Sequence, residues 1–235
     1  MRYNTVGVIC AMEKEAARIR DALREPKETR VASLTFFEGF LGERRVILSV
    51  CGIGKVFATI CAQTLILHFH PDAIYNSGVA GSLSPALEIL DVAVSTDLVQ
   101  HDMDTSPLGD PVGLISGINR VSLPADETLR RGVLHAAEGL GIRALEGTVA
   151  SGDQFIASPE KKAWIKSTFD PIACEMEGAA IAQVAYVNRI PFCAIRAISD
   201  SFTGQNKMDY ARFASEAAAR GAALLISLLQ DPEVL

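Results

Sequence analysis

The chain has 235 residues, 49% of them hydrophobic, and a formal net charge of −6. That size and apolar content predict one large domain over residues 1–235 with a substantial core. Scattered Lys and Arg in an acidic chain exclude a nucleic-acid-binding face, and no run of about 20 apolar residues offers a membrane span.

The first strand is predicted near 5–11. Its apolar run is short and meets Glu13-Lys14-Glu15, so it does not read as a signal peptide. A helix follows near 13–24. Carboxylates in its first turn complement the helix dipole, and a base placed there could also face a ligand at the strand ends. After a strand near 45–51 comes Gly52-Ile53-Gly54-Lys55-Val56-Phe57. Phe57 stands where a dinucleotide fingerprint needs its third glycine, and no acid ends a strand about 20 residues on. The segment is therefore a tight turn, or a turn whose backbone lines some other ligand. The helix near 54–69 is apolar nearly all round, which predicts burial on both sides, the second side by a partner subunit. His68 and His70 at its end suit a capping role.

The strand near 73–78 runs into Asn76-Ser77-Gly78-Val79-Ala80-Gly81-Ser82, small residues that let backbone approach a ligand. No Lys-Ser/Thr follows, so this is not a triphosphate-binding loop. After a strand near 91–96, His101-Asp102-Met103-Asp104 lacks the second cluster that a metal site needs, and no metal is predicted. Residues 100–123 carry no regular period and hold two prolines and three glycines, which marks a functional or interfacial loop. A helix near 124–140 and a strand near 147–152 lead to Ser151-Gly152-Asp153-Gln154-Phe155-Ile156. There the Phe is either core or a ring that stacks on a flat heterocycle. Helices follow near 158–168, 177–188 and 208–230, with a strand near 192–199 between the last two. Strand and helix alternate along the chain, which predicts a sheet sandwiched between helices.

The five cysteines form no C-x-x-C pair and lie mostly in apolar runs. They read as reduced core thiols, which fits a cytoplasmic protein. The residues that carry chemistry gather late. Glu175-Met176-Glu177 precedes a helix, and Arg196-Ala197-Ile198-Ser199-Asp200 ends a strand. Ligands bind at the carboxyl ends of strands in α/β proteins, and an acid buried there can do proton chemistry.

Six motifs occur in order and in register: Ala11-Met12-Glu13-Lys14-Glu15, Gly52-Ile53-Gly54-Lys55, Ser77-Gly78-Val79-Ala80-Gly81, Ser151 to Phe155, Glu175 to Glu177 and Arg196 to Asp200. Together they resemble the bacterial 5′-methylthioadenosine/S-adenosylhomocysteine nucleosidases of the nucleoside phosphorylase superfamily, across essentially the whole chain. The resemblance implies a three-layer α/β/α domain with a central mixed twisted sheet. It also implies hydrolysis of the N-glycosidic bond of an adenosine thioether without metal or organic cofactor, in a cytoplasmic homodimer. It makes Asp200 the acid at adenine N7, oriented by Ser199, and Glu15 the base for the attacking water, with Arg196 at the water site. Glu177 accepts the ribose hydroxyls and Met176 lines the sugar. Phe155 stacks on adenine while the Ile156 backbone reads its edge. Ile53 and Tyr210 belong to the 5′-substituent pocket, and Leu108 reaches the neighbouring subunit's pocket. Val79 stands where many members have Ser or Thr. With Val99-Gln100-His101-Asp102, it is similar to the subset that also cleaves 6-amino-6-deoxyfutalosine. A dedicated aminodeoxyfutalosine nucleosidase, a phosphate-dependent phosphorylase and an idle nucleoside-binding protein are the competing readings.

Overall fold

The computed structural model describes residues 3–203 and 206–232. Strand β1 (Thr5–Cys10) leads into helix α1 (Glu13–Ala22) and a meander of β2 (Arg24–Val31), β3 (Leu34–Leu41) and β4 (Arg44–Val50). Helix α2 (Lys55–Phe69), β5 (Ala73–Ser82), β6 (Val92–Gln100), a single 3-10 turn at Ser106–Leu108 and β7 (Ser122–Pro124) follow. Then come α3 (Glu127–Gly139), β8 (Ala144–Ser151), α4 (Pro159–Phe169), β9 (Ala173–Glu175), α5 (Gly178–Asn188), β10 (Phe192–Asp200) and α6 (Asn206–Gln230).

The result is a single α/β domain with a mixed sheet, as the sequence predicts. β1 lies between β4 and β5, parallel to both. β10 lies parallel to β5 and antiparallel to β6. β8 pairs with β6, β9 pairs with β8, and β9 returns to β5. Strands β5, β10, β6, β8 and β9 thus close a ring at one end of the sheet, while β4, β3 and β2 extend it as an open meander. Closure satisfies the backbone groups that two sheet edges would otherwise leave unpaired.

The sequence reading missed β2, β3, β7 and β9. β2, Arg-Glu-Pro-Lys-Glu-Thr-Arg-Val, is an exposed, charged edge strand and shows no alternation. β7 and β9 have three residues each, too few for a period.

The core lies on both faces of the sheet. On one, Ile19 of α1, Leu129 and Val133 of α3, and Leu224, Leu225 and Leu228 of α6 pack against Val8, Tyr75 and Ile195. On the other, Cys61 and Leu65 of α2 and Ile181 and Val184 of α5 pack against Ile9, Ile47 and Val149. Each fully buried Leu or Ile contributes about 1.5–3 kcal/mol. The five cysteines are buried free thiols, and burial drives their pKa values up, for Cys61 to about 11.

Helix α2 is covered by this chain on one side only. Within this chain it buries Ala58, Cys61, Ala62, Leu65 and Ile66, but Val56, Phe57, Ile60 and Leu67 are 68%, 55%, 48% and 61% exposed. His70 ends the helix in the left-handed conformation, its N–H donating to Ile66 O, while His68 lies in the last turn. Among the described residues, no helix is long and apolar enough to cross a membrane.

Candidate active site

The last residues of β5 and β10 and the segments that follow β1, β4, β8 and β9 surround a cleft of about 600 Å³. It is lined by Glu15, Ile53, Val79, Phe155, Met176, Glu177, Ser199, Asp200 and Tyr210. A second lobe opens from it past Gly81, Phe155 and Asp200 to Ile156 and Lys162. Ten of the twelve residues singled out from sequence therefore line one space. Arg196 is buried behind it. Leu108 is 84% exposed, on the 3-10 turn, and lines neither lobe.

Arg196 lies in the middle of β10, opposite Gly78 of β5. Its Nη2 donates to Asn76 Oδ1 and Glu175 Oε2, and Glu177 Oε2 is 3.8 Å away. Among the described residues, its buried Nε has no acceptor. A Cβ at position 78 would lie within 2.9 Å of Glu15 Oε1 and would strike the guanidinium, so only glycine admits the pair.

The two carboxylates of Glu175-Met176-Glu177 have different surroundings. Glu175 also accepts from Ser151 Oγ and from the backbone N–H of Glu177 (2.9 Å) and Gly178 (2.8 Å), so its acceptor capacity is filled. Among the described residues, Glu177 accepts only from the Gly54 N–H, at 2.9 Å, and it lines the cleft. Burial and then the Glu175 charge push its pKa up to about 7 against the pull of Arg196 and the Gly54 N–H.

The two acids that open α1 diverge in the same way. Glu13 is exposed and pairs with Arg20. Glu15 turns inward and is only 2% exposed. It accepts from the N–H groups of Ala11 (3.0 Å), Met12 (2.9 Å) and Val79 (3.0 Å). Burial raises its pKa, with Arg196 and these N–H donors opposing.

Asp200 ends β10, and Ser199 Oγ donates to its Oδ1 at 2.9 Å. A Cβ at position 81 would lie 2.8 Å from Asp200 Oδ2, so Gly81 makes the space in which the carboxylate sits. Lys162 Nζ donates to the carbonyls of Ser201 (3.0 Å) and Phe202 (3.1 Å), holding the backbone that leaves the acid. Ser199→Ala is expected to reduce kcat about tenfold, the scale of one hydrogen bond to a charged group. Steady-state kinetics checks this, and an unchanged kcat would remove Ser199 from the orientation of Asp200.

Phe155 is 49% exposed and meets Tyr210 edge-on, with ring centroids 5.6 Å apart. The loops that carry Ile53 and Phe155 are tied together. Lys55 Nζ donates to Asp102 Oδ1 (2.6 Å), Asp102 Oδ2 accepts from the Asp153 N–H (2.9 Å), and Asp153 Oδ1 accepts from the Lys55 N–H (2.7 Å). Asp102 of the His-Asp-Met-Asp run is thus an ion-pair partner. No cluster of three or more metal-ligating side chains occurs among the described residues.

Sequence reasoning gave no role to Asn76, Ser151, Glu175 or Lys162. For Glu175 the only local signal is the Glu-x-Glu spacing, and the segment leaves the extended conformation at Glu177, where ψ is −40°.

A family model described as the phosphorylase superfamily matches residues 5–230. The 5′-methylthioadenosine/S-adenosylhomocysteine nucleosidase of Shewanella pealeana is 35% identical over 228 residues, covering 96% of this chain and 99% of that relative. The crystal structure of the nucleosidase of that name from Neisseria meningitidis, in complex with methylthio-immucillin-A, is similar with a TM-score of 0.92. It is 32% identical, and the match covers 97% of this chain and 99% of that one. The native structure of futalosine hydrolase of Helicobacter pylori is similar with a TM-score of 0.91 at 33% identity, covering 96% and 97% of the two chains.

Proposed function

This chain belongs to the 5′-methylthioadenosine/S-adenosylhomocysteine nucleosidases of the phosphorylase superfamily and is an N-glycosyl hydrolase, and on that premise we propose that it cleaves adenine from 5′-substituted adenosines through Asp200 and Glu15. The substrates are 5′-methylthioadenosine and S-adenosylhomocysteine, with 5′-deoxyadenosine and 6-amino-6-deoxyfutalosine in the same class. The similarity to a futalosine hydrolase supports the last of these.

The observation that carries this reading is that Glu15, Glu177 and Asp200, all buried, line one cleft with a half-exposed Phe155. Adenine leaves poorly as an anion and better once protonated at N7. Asp200 is the acid for that proton, held by Ser199. Phe155 stacks on the base, and the Ile156 backbone reads its edge. As the bond to C1′ stretches, the ribose gains positive charge, which the Glu177 and Glu15 carboxylates stabilise. Glu177 accepts the ribose hydroxyls against Met176, and Glu15 takes a proton from the water that attacks C1′. Arg196, with its unspent Nε donor, orients that water. Ile53, Val79 and Tyr210 enclose the 5′-group.

The test is cleavage with and without phosphate. Arg196, the cation behind the sugar position, is already paired with Glu175, so the reading expects equal rates in both conditions. Strict phosphate dependence with ribose 1-phosphate products would sink it. The same assay compares 6-oxo with 6-amino purines. Asp200 can accept from a 6-amino group, whereas a 6-oxo base presents an acceptor there, a mismatch of about 1–3 kcal/mol per buried group.

The working unit of this reading is a cytoplasmic homodimer. Val56, Phe57, Ile60 and Leu67 of α2, with Ile53 and Leu108, are the exposed apolar side chains that such a contact would cover. Leu108 then belongs to the partner's pocket. Light scattering at micromolar protein is expected to give twice the chain mass, and a fully active monomer would contradict the dimer.

A further inference from the structure

Met12, Ile53 and Tyr210 line one wall of the cleft. Tyr210 Oη lies 3.4 Å from Met12 Sδ, so this wall is apolar inside and polar only at its rim. At that rim is Lys14. It is exposed, its Nζ donates to Tyr210 Oη at 3.2 Å, and the ammonium lies 4.7 Å from the Tyr210 ring centroid. Among the described residues, no carboxylate pairs with it. Its neighbour Glu13 is taken by Arg20, and Asp209 accepts from Ser201 Oγ at 3.1 Å. The ammonium lies against an aromatic ring that lines the ligand cleft.

We propose that Lys14, with the Tyr210 hydroxyl, is a carboxylate-recognition rim that selects nucleosides whose 5′-substituent ends in a carboxylate. The inference rests on the nucleosidase reading above and names a substrate class within it. A methylthio group ends among Met12, Ile53 and Tyr210 and does not reach the ammonium. A longer substituent passes Tyr210 and brings its terminal anion to Lys14. Two substrates share that chemistry, the homocysteinyl group with its α-carboxylate and the futalosine-type group with its benzoate. Tyr210 can turn its O–H from Met12 Sδ toward the arriving oxygen, so the carboxylate receives an ammonium and a hydroxyl donor together.

The experiment measures kcat and KM of the wild type, Lys14→Met and Lys14→Arg on four substrates: methylthioadenosine, S-adenosylhomocysteine, its carboxamide, and aminodeoxyfutalosine. In the wild type, the acid should have a KM about three- to tenfold below that of the carboxamide, the range of one exposed to partly shielded ion pair. In Lys14→Met that ratio should collapse toward one through a rise in KM for the acid with little change in kcat. The loss with methylthioadenosine should be at least about threefold smaller. Lys14→Arg should restore the ratio, and added salt should shrink it in the wild type. A response confined to S-adenosylhomocysteine or to aminodeoxyfutalosine identifies which carboxylate the rim serves. Equal losses on methylthioadenosine and on the acids, or a wild type that treats acid and carboxamide alike, overturns the proposal. Failure of the wild type to cleave any of the four would instead remove the nucleosidase reading itself.

Discussion

Asp200→Asn is expected to lower kcat at least about a hundredfold with little change in KM, the usual scale for losing a general acid. Asparagine keeps the shape of the side chain. Its amide fits the space that Gly81 leaves and can still meet Ser199 Oγ, so the fold and the base pocket survive. What it lacks is a proton to give to N7. The control is a substrate with a leaving group that needs no protonation. On such a nucleoside the variant should approach the wild-type rate, because Glu15, Glu177 and Arg196 are untouched. Near-normal adenine release by a folded Asp200→Asn would take the acid role from Asp200.

Glu15→Gln is expected to cost at least about a hundredfold in kcat as well, for the opposite half of the reaction. The carboxylate is held by three backbone N–H groups, and glutamine offers only one oxygen to them. The pH dependence separates its role from that of a mere support. Burial raises the Glu15 pKa above the ordinary carboxylate value, so in the wild type activity falls as pH drops through that raised value and the base is protonated. The small residual rate of Glu15→Gln should lose this acid limb. Stability has the other sign. A carboxyl with a raised folded pKa contributes stability that is full below its unfolded pKa and is lost as pH rises through the folded value. Glu177, with a pKa of about 7, behaves likewise, so KM should rise as pH falls below about 7 and its carboxylate stops accepting from both hydroxyls. A flat wild-type kcat profile down to the ordinary carboxylate range would take the base role from Glu15.

Part of the site is legible in the sequence because Glu15, Phe155 and Asp200 sit where an apolar run stops. Glu15 follows the first strand, Phe155 follows β8, and Asp200 is the last residue of β10. Such breaks stand out against buried strands. The sequence is silent where a partner comes from a distant segment. Nothing near Glu175 announces that Ser151 and Arg196 fill its oxygens, and nothing near Asp102 announces Lys55. Ring closure is hidden for a related reason, since it depends on the three residues of β9 bridging β8 and β5. The all-apolar pattern of α2 records total burial but not which covering belongs to this chain. Here one face packs within the chain, and the other is what a second subunit would cover.

The place of β10 has a consequence for how the chain reaches this state. The strand begins at residue 192, yet it lies between β5 and β6 and fills the centre of the sheet. While a ribosome is still making the chain, those two earlier strands have no neighbour on their inner edges. Such topology has high contact order, and the loop-closure entropy comes due before the pairing that offsets it. The facing edges of β5 and β6 are therefore expected to stay unprotected until β10 has been made, with β5, β6 and β10 gaining amide protection there in one late step of refolding. Protection of that edge of β5 well ahead of β10 in pulsed hydrogen exchange would contradict this order. The half-made chain is then the form most exposed to strand-to-strand aggregation. The cleft, whose wall includes Asp200 and Tyr210, has no partial version on which a nucleoside could act as a folding template. Ligand can stabilise only the finished molecule.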